Sequence, residues 1–439
     1  MEKHGKTGMC GIPYALVSPA IESARGRTRQ LIEELRAQWR NGSNEGAGEI
    51  CAVVNALTDE ANLWLAFKQT AGSPIINLLQ DFLKLLKSCD CYRNKTFQRI
   101  LRERGEQSVD IHLAGLASAT GALHSSLQAL GVAGGEVITT SLNYVGVINS
   151  IILAGARPRF VEIDRRTWCM DPSAARSAVN ENTRAILLTH LNHFVELEPF
   201  HEICEAEGRH LPLVQDASLA IGSTCDGLRP GLLNIGRPGV TVFSLTVSKI
   251  ISGLGGAIAV SDSVDLIRQI QTIANQGLNP LNECEVEDCG ANYKLSALNA
   301  AIACEMLKRF EQIVARRREL RLLFDEALAP LVSEGLIELQ ALRSDDTVTH
   351  YGILLPQGGN WRELARVLFD RHGITSGRWH CLHMETFYRN ILGLANLSLP
   401  VTEDIEPRLF FLPFHTALSD DDARFICEKT TEEIRAASK

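Results

Sequence analysis

The sequence predicts an α/β fold: a large domain with a mostly parallel seven-stranded sheet between helices, followed by a smaller C-terminal α/β domain. Three observations carry that prediction. From about residue 110, seven short apolar runs with few polar positions alternate with segments of helical periodicity. That is the pattern of strands buried on both faces and joined by helical crossovers. A long helical stretch follows at 295–331, and after about 345 the chain returns to a mixed strand and helix pattern.

In chain order, residues 28–40 space Leu31, Ile32, Leu35 and Trp39 along one helix face, and "NGSNEGAG" (41–48) breaks that pattern like a linker. "PIINLLQDFLKLLKS" (74–88) predicts an amphipathic helix. The seven strand runs are "VDIHLAGL", "EVITTS", "RPRFVEI", "RAILLTH", "LPLVQDA", "VTVFSLT" and "GGAIAVSD". Helical spacing recurs at 120–131, 144–154, 198–207 and 263–275, and 295–331 reads as one long helix or two in succession. The C-terminal part predicts strand "HYGILLP", helix "WRELARVLFDRHG", strand "RLFFLP" and a last helix capped at Ser419-Asp420. The expected divisions are an N-terminal extension (1–94), a large domain (95–325) and a small domain (326–439).

The chain has 439 residues with a net charge of −8, so it lacks the basic footprint of a nucleic-acid or anionic-membrane binder. No run approaches the roughly 18 apolar residues of a membrane span. The N-terminus, interrupted by Pro13, does not read as a signal peptide. Twelve cysteines at irregular spacing argue against a disulfide framework. Neither Cys89/Cys91 nor Cys284/Cys289 has the spacing of a zinc site. A cytoplasmic protein without a metal is expected.

Three features fall where ligands bind in open parallel sheets, beyond the carboxyl ends of strands. In "LASATGALHSSL" (116–127) a strand gives way to a helix. The N–H groups of Ala119 to Gly121 and the Thr120 hydroxyl suit a phosphate, unless Ser118 merely caps the helix. Asp216 ends an apolar strand and needs a positive partner, either a pyridinium nitrogen or a salt-bridging arginine. Ser244 ends another strand, and Lys249 follows five residues later among glycines and apolar residues. Such a lysine either points into water from a loop or is kept neutral enough to form a Schiff base.

Together with Tyr144, these features resemble pyridoxal-phosphate enzymes of the aspartate-aminotransferase fold (fold type I), and more narrowly the DegT/DnrJ/StrS family of sugar aminotransferases. The resemblance spans roughly 95–435. "SATGAL" (118–123) stands where the family has SGTAAL, and "VQDASLAIGS" is similar to EDAAQAHG. "GARPRFVEIDRRTWCMDP", "VFSLTVSKIISGLGGAIAV", "GANYKLSALNAAIACEML" and "SLPVTEDIEPRLFFLPFHTALSDDD" match further family motifs. The resemblance implies pyridoxal 5′-phosphate as cofactor, Lys249 as the Schiff-base lysine, and Asp216 on the pyridine nitrogen. Tyr144 would stack on the ring, while Ala119, Thr120 and Ser244 would bind the phosphate. Asn292 would reach the phosphate of the second subunit in a homodimer with shared active sites. His190, His383 and Lys294 fall on substrate-side positions, although His190 reads equally well as a core histidine with its hydrogen bonds made. The flanking glycines would let the backbone pass close to the cofactor ring.

The implied reaction moves an amino group from glutamate or glutamine to a keto group on a sugar nucleotide or cyclitol. Departures from the pattern occur at Ala119, Leu219, Ile250, Leu254 and Lys294. The alternatives are a non-transaminating relative of the same fold, and a cofactor-binding protein without turnover, which the departures at 119, 219, 250 and 294 keep open. Relatives of the first kind replace the lysine with histidine, so Lys249 argues against it. Four acidic residues in "NQGLNPLNECEVEDCG" favour a smaller or uncharged acceptor over a diphosphate. "RRREL" (316–320) reads as a solvated helix face.

Overall fold

The computed structural model describes residues 74–87, 110–225, 227–232, 236–279 and 282–438. The helix expected at 28–40, the linker at 41–48, the Cys89/Cys91 pair and most of the 1–94 extension lie outside them.

All seven apolar runs are strands of one sheet: β1 (His112–Leu116), β2 (Glu136–Thr140), β3 (Arg157–Val161), β4 (Thr183–Thr189), β5 (Leu213–Asp216), β6 (Gly239–Ser244) and β7 (Ala257–Ser261). Their spatial order is β1-β7-β6-β5-β4-β2-β3. All run parallel except β7, which lies antiparallel between β1 and β6. The reason is local. The β6–β7 connection carries no helix, and a parallel return needs a long crossover.

Side chains alternate between two covered faces, as strand geometry requires. Val240, Val242, Ala257 and Ala259 pack with helices Ala119–Ala129, Val145–Leu153 and Val264–Ala274. Phe243, Ile258 and Val260 face the other way, with helices Pro74–Lys87 and Ala297–Leu307. Phe82 of the first of these meets Phe243 edge to face, with centroids 5.1 Å apart.

The expected 295–331 helix is two, Ala297–Leu307 and Phe310–Ser333. The second runs unbroken past residue 325, where the sequence reading divides the domains. Its Phe310 and Val314 belong to the core beside β6, whereas Leu320, Phe324, Leu328 and Leu331 belong to the C-terminal core. That core covers an antiparallel sheet of β8 (Glu338–Leu339), β9 (Tyr351–Leu354) and β10 (Leu409–Leu412). The helix after Ser419 has the full capping box, Ser419 and Asp422 bonding reciprocally.

Three short helices escape the sequence reading: Pro172–Ala178, Thr386–Leu392 and Pro400–Ile405. The last is capped from far away. The Glu162 carboxylate accepts from the N–H groups of Val401 (2.9 Å) and Thr402 (3.1 Å). Among the described residues no helix is long and apolar enough to cross a membrane, and no cluster of His, Cys, Asp or Glu is placed to hold a metal ion.

Candidate active site

Parallel strands bring their carboxyl ends to one edge of the sheet, and register decides which residues become neighbours there. Asp216 pairs with Thr189 on one side and Val242 on the other. Asn143, just beyond β2, donates to the Thr189 hydroxyl (3.0 Å) and accepts from the Tyr144 N–H (2.8 Å), which fixes Tyr144 at the same edge.

Asp216 is 6% exposed and accepts from the Ser218 N–H at 3.0 Å. It makes no ion pair among the described residues. The salt-bridging arginine, one of its two possible partners, is not found among the described residues. Burial pushes the Asp216 carboxyl up, while Ser218 and the Lys249 ammonium pull it back. Burial correspondingly lowers the Lys249 amine, with Asp216 opposing. A buried carboxylate beside an amine whose charged form burial disfavours is an arrangement still lacking a cation.

The helix at 119 is indeed capped by Ser118, whose Oγ accepts from the Gly121 N–H at 3.1 Å. That takes one of the three expected phosphate donors. The Ala119 and Thr120 N–H groups stand in the first turn, where helix geometry supplies no acceptor. Thr120 and Tyr144 converge on Gly146. A Cβ there would lie 2.4 Å from Thr120 Oγ1 and 3.1 Å from Tyr144 Cε1. Ser244 Oγ and Thr246 Oγ1 are 3.1 Å apart. Gly256 joins the two turns, donating to Ala117 O (3.0 Å) and accepting from the Leu245 N–H (2.9 Å).

The glycines around Lys249 also have a packing reason. Gly256 has φ +100°, and a Cβ on it would sit 2.6 Å from Leu295. One on Gly253 would sit 2.7 Å from the Asn299 carbonyl. They let the loop pack on helix Ala297–Leu307. Ile250 belongs to the same core and is buried. Leu254 is an exposed non-glycine residue with φ 58°.

The segment at 292 alternates. Tyr293 packs on Gly121 and hydrogen-bonds the His124 ring (3.2 Å), and Leu295 is buried, whereas Asn292 and Lys294 are exposed.

The two histidines expected beside the substrate are structural ties. His190 is fully buried; its Nδ1 accepts from the Val195 N–H (3.1 Å) and its Nε2 pairs with Gln215 Oε1 (3.0 Å). Burial lowers its pKa to about 4, so it stays neutral. Of its two readings, the core histidine describes it. His383 is also buried, with Nδ1 against Ser141 Oγ (2.7 Å) and Nε2 against Glu403 Oε1 (3.1 Å). Neither imidazole has a nitrogen to spare.

Two residues escaped the sequence reading. Arg317, inside the "solvated" run 316–320, is buried and donates to the carbonyls of Val348 (3.0 Å) and Thr349 (3.3 Å). Helical spacing from Val314 to Leu320 and Phe324 places position 317 on the inward stripe, a signal present in the sequence. His350 lies at the start of β9, where Lys249 and Arg317 both act on it electrostatically. Nothing in the local pattern marks it.

The donor set suits pyridoxal phosphate: a carboxylate for a ring nitrogen, an amine whose pKa burial lowers, and a helix N-terminus with hydroxyls for a phosphate. Residues 79–431 match the model of the DegT/DnrJ/EryC1/StrS aminotransferase family. Similar solved structures include the sugar aminotransferase CalS13 from Micromonospora echinospora, at 24% identity and TM-score 0.65, covering 73% of this chain and 86% of that one. The aminotransferase TlmJ from Streptoalloteichus hindustanus is 23% identical with TM-score 0.67, covering 84% and 98%. NtdA from Bacillus subtilis, solved with bound cofactor PMP, is 22% identical with TM-score 0.66, covering 82% and 84%. At these identities the likeness is one of fold.

Proposed function

The chain belongs to the DegT/DnrJ/EryC1/StrS aminotransferase family of pyridoxal-phosphate enzymes, fold type I, and from that premise we propose that Lys249 and Asp216 carry its amino-transfer chemistry. The amino group passes from glutamate or glutamine to the keto group of a sugar nucleotide, a cyclitol or a related small biosynthetic intermediate. The observation supporting this reading most directly is the buried Asp216 carboxylate, without an ion-pair partner among the described residues and set against Lys249.

When bound, pyridoxal phosphate supplies an electron-withdrawing ring that stabilises negative charge on the carbon bearing the transferred nitrogen. Asp216 presents the anion that keeps a pyridine nitrogen protonated. The N–H groups of Ala119 and Thr120, with the hydroxyls of Thr120, Ser244 and Thr246, would hold the phosphate. Tyr144 offers aromatic surface for the ring face. Lys249 Nζ, held toward neutrality by burial, is the nucleophile that retains the cofactor and the base that moves the substrate's α-proton. Glutamate added to the holoenzyme should bleach the visible cofactor band and yield 2-oxoglutarate. An unchanged spectrum with both glutamate and glutamine would refute the reading.

We further propose that two copies share their sites, Asn292 of each reaching the other's cofactor phosphate. Asn292 and Lys294 are exposed, and so are the apolar side chains of Tyr144, Val247 and Leu254 around the same edge. Asn292→Ala should weaken cofactor retention about tenfold, the worth of one hydrogen bond to a charged group, with the thermal midpoint of the cofactor-free protein unchanged. A monomeric holoenzyme in sedimentation would exclude this arrangement.

A further inference from the structure

We propose that His350 is a specificity-determining residue of this aminotransferase, its imidazole hydrogen-bonding an uncharged oxygen, hydroxyl or carbonyl, of the keto acceptor in the Lys249 crevice. This rests on the reading of Lys249 above.

His350 differs in one respect from the two histidines described above, His190 and His383. His190 and His383 have both nitrogens engaged, whereas neither ring nitrogen of His350 has a partner among the described residues. Its Nδ1 is sealed from solvent, so Nε2 is the nitrogen left open. An unpaired polar atom inside a protein is costly unless something else pairs with it.

The ring is also held unusually firmly. Asn192, buried and in the left-handed region at φ 58°, clamps the His350 backbone from both sides. Its Oδ1 accepts from the N–H groups of Thr349 (3.0 Å) and His350 (3.2 Å), and its Nδ2 donates to His350 O (2.8 Å). Arg317, with no ion pair among the described residues, bonds the two preceding carbonyls. Phe411 packs on the ring, centroids 5.2 Å apart, and Trp379 backs Phe411 at 4.6 Å. Strain and buried charge spent on one imidazole fit a functional position better than a structural one.

The charges nearby select the ligand. Lys249 and Arg317 act on His350 electrostatically, no described carboxylate does, and burial with these cations brings its pKa down to about 3. The imidazole therefore remains neutral. With the proton on Nε2 it donates a hydrogen bond without adding charge, which suits a hydroxyl or a ketone rather than a carboxylate or phosphate.

The test uses the holoenzyme, with His350→Phe and His350→Asn variants. The glutamate half-reaction should stay within about threefold of wild type in both, because the donor's carboxylates do not use His350. Amino-loaded enzyme is then mixed with two uncharged probes, a ketoinositol and a ketohexose, and with 2-oxoglutarate. His350→Phe should raise KM for the uncharged ketones at least about tenfold and leave 2-oxoglutarate unaffected; His350→Asn, which keeps a donor, should recover part of the loss. In the cofactor-free protein, diethyl pyrocarbonate should label His350 while sparing His190 and His383. Equal losses on all ketones, a lost glutamate half-reaction, or no reaction of wild type with either uncharged ketone would each overturn the proposal. A wild type inert to glutamate and glutamine would instead overturn the aminotransferase reading beneath it.

Discussion

Lys249→Ala is expected to abolish turnover and the visible absorption of the holoenzyme while the protein still folds and still binds the cofactor non-covalently. The amine is both nucleophile and proton carrier, and losing a positioned base alone costs roughly 10²–10⁴-fold. Losing both roles together should bring activity below detection. Folding should survive because the Lys249 side chain makes no ion pair or hydrogen bond among the described residues. Its backbone N–H, which donates to Thr246 O at 3.0 Å, is untouched by the substitution. Borohydride reduction of the wild-type holoenzyme should leave the cofactor on the peptide containing Lys249. Recovery of the label on another lysine would remove Lys249 from the mechanism.

Asp216→Asn is expected to act in opposite directions on the two forms of the protein. With cofactor bound, the substitution leaves a pyridine nitrogen without its anion. Breaking a buried charge pair costs about 3–5 kcal/mol, so turnover should fall roughly 150- to 5,000-fold. Without cofactor, the same carboxylate is buried beside only a weakened lysine charge, and burial raises its pKa. A carboxyl with a raised folded pKa favours the native state while protonated, and that contribution is lost as pH rises through the folded value. At neutral pH the cofactor-free Asp216→Asn protein should therefore be no less stable than wild type, and its stability should rise relative to wild type as pH increases from the ordinary carboxylate range. Chemical denaturation of both forms across pH measures this. A large destabilisation of the cofactor-free variant would mean that Asp216 has an undetected partner.

The sequence by itself determined the strands and most long helices, because their signals are periodic and local. Strands buried on both faces show as unbroken apolar runs, and the α/β alternation fixes the class of sheet they form. It also singled out Asp216, Ser244 and Lys249, since parallel strands send their carboxyl ends to one edge whatever their order. Only the tertiary structure decided what those residues face. The antiparallel place of β7, the cap that Glu162 supplies to a helix about 240 positions away, and the packing role of Gly253 and Gly256 all depend on contacts between distant segments. The histidines show the limit most plainly. His190, His350 and His383 are alike as letters, yet two have both nitrogens paired and one has neither among the described residues, because a hydrogen bond depends on where remote donors and acceptors are brought, and no local spacing records that.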